Sequence, residues 1–229
     1  MLGGNVIRLF QPSEGNLSGL KLMNNSIYAV SSQQKIIFIY SADDESAYCS
    51  KVKVDIGNPA GITIKDEEIL VADSRKKAVY RINSKKGGTK PFIDLSKLDK
   101  NDASGVINAR NSKITDIEYH NGKLWISCEA GYSSCIICID TVKGNLMTKY
   151  STRGPSPASI SLDNSKENLW VLDSSNKEIS VFDKKGNWTG AVLPVSLSKP
   201  SCFSLDTKGH VWLSGFLDVQ GKRKEVDLK

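Results

Sequence analysis

The sequence lacks several features that would assign a function directly. It has two histidines among 229 residues, and no apolar run approaches the roughly 18 residues of a membrane span. It contains no Ser-His-Asp grouping, no glycine loop of the phosphate-binding kind and no Cys/His spacing typical of zinc. The residues therefore do not indicate a triad hydrolase, a nucleotide-binding loop, a zinc finger or a membrane span.

The opening residues also lack the apolar core of a signal peptide, because MLGGNVIRLF is interrupted by Gly, Asn and Arg. Free thiols would favour the cytoplasm. Export stays open if a signal segment has been removed. We therefore leave the compartment unassigned, with the cytoplasm favoured.

Charge gives a weak indication of the partner. The chain has 31 basic and 25 acidic side chains, a net charge of +6, and a hydrophobic content of 39% that fits a globular protein. The lysines are scattered between apolar runs, and the one dense basic cluster is GKRKEVDLK at the end. Lysines dispersed over turns are usually a solvated surface, so nucleic acid is not the expected partner.

Five cysteines are present: Cys49, Cys128, Cys135, Cys138 and Cys202. Cys135 and Cys138 lie in the strand-like run SCIICID, where residues three apart point to opposite faces. We therefore interpret these thiols as small buried hydrophobic residues and not as a metal or redox pair. Cys128 and Cys135 flank a turn and are expected to be cross-strand neighbours, so a redox-dependent link between them is the alternative.

The chain repeats itself. The units can be anchored on equivalent residues spaced 42, 55, 43 and 43 positions apart: Gly19, Gly61, Asp116, Ser159 and Cys202. Each unit has a short alternating run, a turn, a stronger apolar run such as ILVAD or LWVLD, and then a third and a weaker fourth run. Short runs rich in Ile, Val, Trp, Phe and Tyr are typical of strands, and four strands per 43 residues are typical of a β-propeller blade.

We predict an all-β protein in which residues 1–229 form a single β-propeller domain of five four-stranded blades. The segment NVIRLFQPSEGN, residues 5–16, matches the third run of the other units, and the last unit ends in a polar tail. The N-terminal strand is therefore predicted to complete the C-terminal blade and close the ring. A fragment of a six-bladed propeller is the alternative. The chain is expected to be monomeric.

One large side chain occupies the same point of each second strand. The members of this column are Tyr28, Leu70, Trp125, Trp170 and Trp212. A single large residue at a fixed place in each unit indicates packing between blades and not a ligand-stacking platform.

The unit AGITIKDEEILVADSRKKAVYRIN resembles the NHL-type repeat, with PAGITI, LVADS and VFDKKGN as the closest matches. Related propellers of the virginiamycin-lyase-like and regucalcin-like kinds look similar at this level. The resemblance implies one of three activities: binding of a protein or peptide, binding of RNA, or metal-assisted hydrolase or lyase chemistry. The fold alone does not choose between them.

The residues needed for the enzymatic alternatives are sparse. His120 and His210 fall in turns between first and second strands, on the face opposite to the one where the resemblance implies a lyase base. Asp116 and Glu129 are the candidate ligands if the protein depends on a divalent metal, but two carboxylates make a poor site for a hard cation. Asp73 and Asp173 each precede a Ser and a turn, where a carboxylate usually accepts turn hydrogen bonds.

We therefore predict a non-catalytic binding or scaffold propeller without a cofactor, which recognises a protein or peptide through loops of its top face. That face carries the turns between second and third strands and the links between blades. A polar insertion, KLDKNDASGVINARNSK, makes the third blade the preferred contact zone. The candidate binding residues are Arg75, Lys76, Asn108, Arg110, Glu129, Tyr132, Arg153, Asn176, Lys199 and Phe216. A divalent-metal lactonase or lyase is the first alternative and an RNA-binding module the second.

Overall fold

The computed structural model describes residues 9–10, 17–42, 48–83, 88–98, 112–131, 133–163, 167–219 and 222–228. Within this part of the chain, nearly all regular structure is β-strand, and a 3-10 turn at Leu95–Lys97 follows the second blade. No helix there has the length and apolar character needed to cross a membrane.

Four sheets consist of four consecutive antiparallel strands each, and we number them as blades. The first blade contains β2 (Leu17–Met23), β3 (Ser26–Ser31), β4 (Ile36–Ser41) and β5 (Tyr48–Lys53). The second contains β6 (Pro59–Lys65), β7 (Glu68–Asp73), β8 (Ala78–Ile82) and β9 (Thr89–Asp94). The third contains β10 (Lys113–His120), β11 (Lys123–Glu129), β12 (Cys135–Asp140) and β13 (Leu146–Ser151). The fourth contains β14 (Pro157–Asp163), β15 (Asn168–Asp173), β16 (Glu178–Phe182) and β17 (Trp188–Pro194).

A further four-stranded sheet, which we call the C-terminal sheet, combines both ends of the chain. Its strands in spatial order are β18 (Lys199–Leu205), β19 (Val211–Val219), β20 (Lys222–Leu228) and β1 (Leu9–Phe10). The N-terminal segment therefore forms the outermost strand, paired with β20, and not the third strand that its sequence suggested. The polar tail supplies the third strand, through hairpin pairing with β19, although it has no strong apolar run.

Tight hairpins connect the first and second strands of the blades. The turns Asn24–Asn25, Asp66–Glu67 and Asn121–Gly122 each have two residues at positive φ. Two-residue turns of this backbone type match the right-handed twist of the flanking strands. Asn, Asp and Gly tolerate the conformation well, whereas Glu67 adopts it despite a steric cost.

Apolar cores fill the spaces between neighbouring sheets. The largest contains Leu70 and Val79 of the second blade against Leu124 and Ile126 of the third. Two similar clusters join the first blade to the second and the third blade to the fourth. The C-terminal sheet packs on the fourth blade through one cluster and on the first blade through another, in which Trp212 takes part. Each sheet thus buries its two faces against two neighbours.

The predicted all-β propeller is confirmed, with four blades built of consecutive strands. The predicted count of five requires the C-terminal sheet to act as a further blade, and we keep that count as part of the proposal below. The aromatic column lies in register across the sheets: Tyr28, Trp125 and Trp170 pair with Lys21, Glu118 and Ser161 of the first strands.

Candidate functional site

The first strands of the five sheets surround a central channel, and each contacts the first strand of the next sheet. The five anchor residues of the repeat lie on these strands. Two of them are glycines because space is short: a Cβ on Gly19 would lie 3.0 Å from the Cα of Gly61, and one on Gly61 would lie 2.2 Å from Asp116 Oδ1. The inner ring is therefore too tightly packed at this level for larger side chains beside Asp116.

Asp116 is a buried carboxyl group that links the third blade to the fourth. Its Oδ2 accepts hydrogen bonds from Ser159 Oγ at 2.5 Å and from the backbone N–H of Ile160 at 3.0 Å. Its Oδ1 accepts one from the N–H of Ile117 at 2.8 Å. Removal from water raises the pKa of Asp116 to about 7, and the nearby charge of Glu118 adds to the shift, although the hydrogen bonds oppose it. Asp116 therefore changes charge near neutral pH.

Two residues further along the same strand, Glu118 forms an ion pair with Lys21 of the first blade. The two side chains are 3% and 13% exposed, so the pair is almost completely removed from solvent. Since it connects the first and third blades, the pair ties strands that are not sheet neighbours. A buried carboxylate without such a partner would be very unfavourable.

Hydroxyl groups complete the polar lining of the channel by bonding the backbone of the next sheet. Thr63 Oγ1 accepts from the N–H of Tyr119 at 3.0 Å, and Ser204 Oγ accepts from the N–H of Leu22 at 3.1 Å. Ser161 does the same for the C-terminal sheet. These bonds satisfy N–H groups at strand edges that have no sheet neighbour. The channel groups thus join the blades to one another.

Asp116 and Glu129, the two carboxylates considered for a metal, have separate partners. Glu129 lies at the end of β11 and forms an ion pair with Lys113 at 2.9 Å, whereas Asp116 bonds Ser159 and Ile160. Calcium requires six to eight oxygen ligands. Among the described residues, no three or more His, Cys, Asp or Glu side chains group as a metal site would require. This pair therefore does not fit a cation site, and we derive no chemistry through a metal.

On the top face, Asp73 and Asp173 organise their own turns, as the sequence predicted. Asp73 accepts hydrogen bonds from the N–H groups of Gly57, Arg75 and Lys76. Asp173 accepts from the N–H groups of the fourth blade's turn and of the link before it. Both carboxylates are buried and occupied, so they hold the loops that carry the candidate binding residues.

Two candidate residues lie together on the turn between β7 and β8. Arg75 and Lys76 are exposed, and Asp73 fixes the backbone beneath them. The hydroxyl of Ser74 donates to the carbonyl of Ile114 at 2.7 Å, so this turn leans on the first strand of the third blade. The turn thus presents two adjacent cations on a well-supported backbone.

A second group of candidates lies where the third blade leads into the fourth. The guanidinium of Arg153 lies 4.0 Å from the centre of the Trp188 ring and 3.4 Å from Glu178. A Cβ on Gly154 would lie 2.7 Å from the amide nitrogen of Asn176, so the link and the following turn are in close contact. Arg153 is therefore partly used in internal contacts, and Asn176 is exposed beside it.

Of the remaining predicted binding residues, two lie within the described part of the chain and three lie outside it. Lys199 is exposed at the start of β18, and Phe216 lies on β19, where the backbone alone is described. Asn108, Arg110 and Tyr132 lie outside the described residues, so their roles, and that of the insertion, stay predictions.

The described cysteines are buried: Cys128, Cys135, Cys138 and Cys202. The first three are free thiols of the third blade. Cys135 belongs to the core that faces the second blade, whereas Cys138 faces the fourth, as expected for residues three apart on a strand. Cys128 lies directly opposite Cys135. Burial raises the pKa of both thiols and raises that of Cys138 to about 11, so all three are protonated and poorly reactive.

Sequence reasoning missed the polar column of the channel. Its residues stand two positions after each anchor: Lys21, Thr63, Glu118, Ser161 and Ser204. A polar residue at the same place in all five otherwise apolar strands was a usable signal. His120 lies on the bottom face, as the sequence predicted, and there it lines a pocket between the third and fourth blades that the sequence did not indicate.

No known family profile matches the chain, and no curated protein matches it in sequence. Among solved structures it is similar to glutaminyl cyclase from Myxococcus xanthus, with a TM-score of 0.66 and 12% identity over 98% of this chain and 96% of that one. It is also similar to the calcium-binding protein regucalcin from Agrobacterium tumefaciens, with a TM-score of 0.56 and 14% identity over 92% and 73%. A nidogen–laminin complex gives a TM-score of 0.59 and 15% identity over 92% and 79%.

At these identities the likeness shows the fold, which is that of a β-propeller. The neighbours include an enzyme, a calcium-binding protein and a protein complex, so they do not select an activity. The regucalcin-like resemblance of the repeat agrees with them, and the NHL-type assignment stays a prediction.

Proposed function

We propose that this protein is a non-catalytic binding propeller of five blades that recognises an acidic protein or peptide segment through its top face. The observation that carries the proposal is the charge of that face. Its exposed basic residues, within the described chain, are Lys35, Lys53, Arg75, Lys76, Lys97, Lys113, Arg153, Lys177 and Lys199. The exposed carboxylates described on the same face are Asp55 and Asp94.

The excess of exposed positive charge arises because most carboxylates of the top-face loops have partners inside the protein. Asp73 and Asp173 are buried under their turns, while Glu129 and Glu178 each lie beside a cation. Side chains such as Arg75 are left to face solvent. A surface with excess positive charge attracts acidic partners and accelerates their association.

A defined panel of ligands tests the proposal. We would measure binding of a fluorescein-labelled acidic peptide, a neutral and a basic peptide of equal length, and a single-stranded RNA. The acidic peptide should bind best, with an affinity that falls as salt rises. Replacing Arg75 and Lys76 together by Ser should weaken binding by roughly two- to thirtyfold, since each exposed charge contributes about 0.2–1 kcal/mol.

The matched control replaces Lys143 and Lys208 by Ser. Both are exposed lysines of the opposite, bottom face, and the loss of charge is the same. Equal loss in the two double variants, or no preference for the acidic peptide over the basic one, would contradict the proposal. Tighter, steeply salt-dependent binding of RNA would favour the RNA-binding alternative instead.

The predicted contribution of the third-blade insertion can be tested in the same assay. A variant with the insertion cut to a four-residue link removes Asn108 and Arg110. We expect weaker peptide binding with the fold intact. An unchanged affinity would limit the binding surface to the described loops.

A catalytic function is the second candidate, because Asp116 has a pKa near 7 in the channel beside Glu118 and Lys21. Carboxyl groups with such shifts cluster at active sites. The test for this candidate is the thermal shift with calcium, magnesium, manganese and zinc, which should be small because Asp116 and Glu129 have separate partners. A rise of several degrees that is lost in both Asp116→Ala and Glu129→Ala would contradict that expectation and favour the regucalcin-like enzyme.

A further inference from the structure

The bottom face contains a pocket at the seam between the third and fourth blades. Its volume is about 230 Å³, and residues from both blades line it. Bottom-face turns form its mouth, with Asn121 on one side and Lys184 on the other. The pocket is distinct from the channel and from the top face, so a ligand bound in it would be independent of the acidic partner proposed for the top face.

The pocket exists because one side chain of the third blade is small. Cys138 pairs across the sheet with Trp125. The described residues in the same relation to the aromatic column of other blades are larger: Ile39 opposite Tyr28, Arg81 opposite Leu70 and Val181 opposite Trp170. A closed void of this size would be costly in a packed core. An open one at a seam is typical of a ligand site.

The walls are aromatic and apolar, and they are held in place. Trp125, Met147 and Tyr150 line the pocket, and Met147 is 48% exposed. The hydroxyl of Tyr150 donates to the carbonyl of Lys184 at 3.1 Å. A Cβ on Gly186 would lie 2.0 Å from the Tyr150 ring, so this glycine lets the ring lie against the turn. The aromatic surface is therefore preformed.

The charged groups of the lining favour a cation. Its carboxylates are Asp163, Glu167 and Asp183, and its ammonium groups are Lys123 and Lys184. Lys184 lies 3.4 Å from Glu167, and Lys123 lies opposite a further carboxylate, Asp140, on the next strand. The local excess of negative charge lies beside Trp and Tyr rings, which attract cations by their faces.

We infer that this pocket binds a small organic cation with an apolar body, an amine or quaternary ammonium group carried on an aromatic or aliphatic group. The apolar body would contact Trp125, Met147 and Tyr150, and the cation would lie toward the carboxylates at the mouth. The volume is below the roughly 300–1,000 Å³ of pockets for drug-sized ligands, which limits the ligand to a smaller molecule.

Three probes of similar shape and different charge test the inference: phenethylamine, phenethyl alcohol and phenylacetate. Binding would be followed through the indole N–H signals of the four tryptophans in the NMR spectrum of the intact chain. Phenethylamine should shift one indole signal, which Trp125→Leu removes; leucine is the residue that the second blade has at this place. The alcohol should bind more weakly, and phenylacetate should not bind.

Variants give effects of opposite sign. Glu167→Gln should weaken phenethylamine binding by roughly two- to fivefold and Lys184→Gln should strengthen it by a similar factor, as expected for exposed charges. Glu67→Gln, an exposed carboxylate on the bottom face of the second blade, should change nothing. Cys138→Ile should abolish binding, because it introduces the side chain that the first blade has at this place.

The outcomes that overturn the inference are specific. No shift with phenethylamine at millimolar concentration would show that the pocket is not a cation site. Equal binding of the three probes would show a site that selects for apolar character alone. Undiminished binding by a folded Cys138→Ile variant would place the cation elsewhere.

Discussion

In the central channel, Asp116 and Glu118 are buried, Lys21 is partly buried, and all three bond to other strands, whereas on the top face Arg75 and Lys76 lie exposed to solvent. The two regions contain the same kinds of charged group. In the channel these groups have protein partners that hold one blade to another. On the top face Asp73, Asp173, Glu129 and Glu178 have such partners, whereas Arg75 and Lys76 face solvent.

This contrast separates the groups that stabilise the fold from those that can act on other molecules. A group whose hydrogen-bonding capacity is filled inside the protein contributes to folding, and its removal should lower stability. A group on a fixed turn that faces solvent contributes little to folding and can bind a partner. Variants of both regions test this division, beginning with the largest effect on the free energy of unfolding.

Breaking the channel ion pair should have the largest effect. Lys21→Met leaves Glu118 buried without a cation, and we expect the free energy of unfolding to fall by about 3–5 kcal/mol. Urea denaturation measures this. The control is Lys184→Met, which breaks the exposed ion pair with Glu167 and should leave stability nearly unchanged. An equally small effect of both variants would contradict a structural role for the channel pair.

Gly61→Ala should destabilise the inner ring by about 3 kcal/mol, as in other overpacked cores. Its Cβ would lie 2.4 Å from the Cα of Asp116, and backbone atoms cannot move away as a flexible side chain can. Gly88→Ala is the control, because a Cβ there meets nothing within 4 Å. Similar midpoints of urea unfolding for both variants would show that the strands are not as close as described.

The charge state of Asp116 should make stability depend on pH. Its pKa rises from 3.8 to about 7 on folding, so the folded state holds a proton that the unfolded state loses. The contribution to stability is present below pH 3.8 and is lost as pH rises to 7, at up to roughly 1.4 kcal/mol per pH unit. Asp116→Asn, which cannot ionise, should remove this dependence.

The window from pH 5 to pH 7 isolates Asp116 from other carboxylates. The folded pKa values of Asp94, Asp140, Asp183 and Asp206 are lowered, so their contributions are present above the unfolded value and are lost only in more acidic solution. Urea unfolding of the intact protein and of Asp116→Asn at pH 5, 6, 7 and 8 measures the difference. If the free energy of unfolding varies with pH in the same way for both proteins, Asp116 is ionised in the folded state over this whole range.

The top-face variant should have the smallest effect on stability. Replacing Arg75 and Lys76 by Ser should change the free energy of unfolding by less than about 0.5 kcal/mol, as for other surface substitutions. The two side chains face solvent, and it is Asp73 that holds the turn through backbone N–H groups. A large loss of stability would show that these cations belong to the fold.

Much of the fold could be predicted from the sequence because each unit repeats local signals. Gly61 and Asp116 mark equivalent points, and the hairpins follow from short apolar runs on either side of turn residues. The third strand at Lys222–Leu228 was not predicted, since its polar residues give no strand pattern. This segment forms a strand because its backbone pairs with β19.

The candidate site was predictable only where local sequence determines it. The roles of Asp73 and Asp173 follow from the turn residues beside them. The ion pair of Lys21 with Glu118 joins residues 97 positions apart, so no local pattern indicates it. The bottom pocket depends on the size of one side chain, Cys138, relative to its equivalents in other blades. The ion pair and the pocket can be identified only once the packing of the blades is known.

The most direct test of the division between channel and top face is the affinity of the folded Asp116→Asn variant for the acidic peptide at neutral pH. It should be measured beside the variant with Ser at positions 75 and 76. We predict that Asp116→Asn binds within about twofold of the intact protein, a change of less than roughly 0.5 kcal/mol, and that the top-face variant binds more weakly. Loss of binding in folded Asp116→Asn, with full binding by the top-face variant, would contradict the account and place the site in the channel.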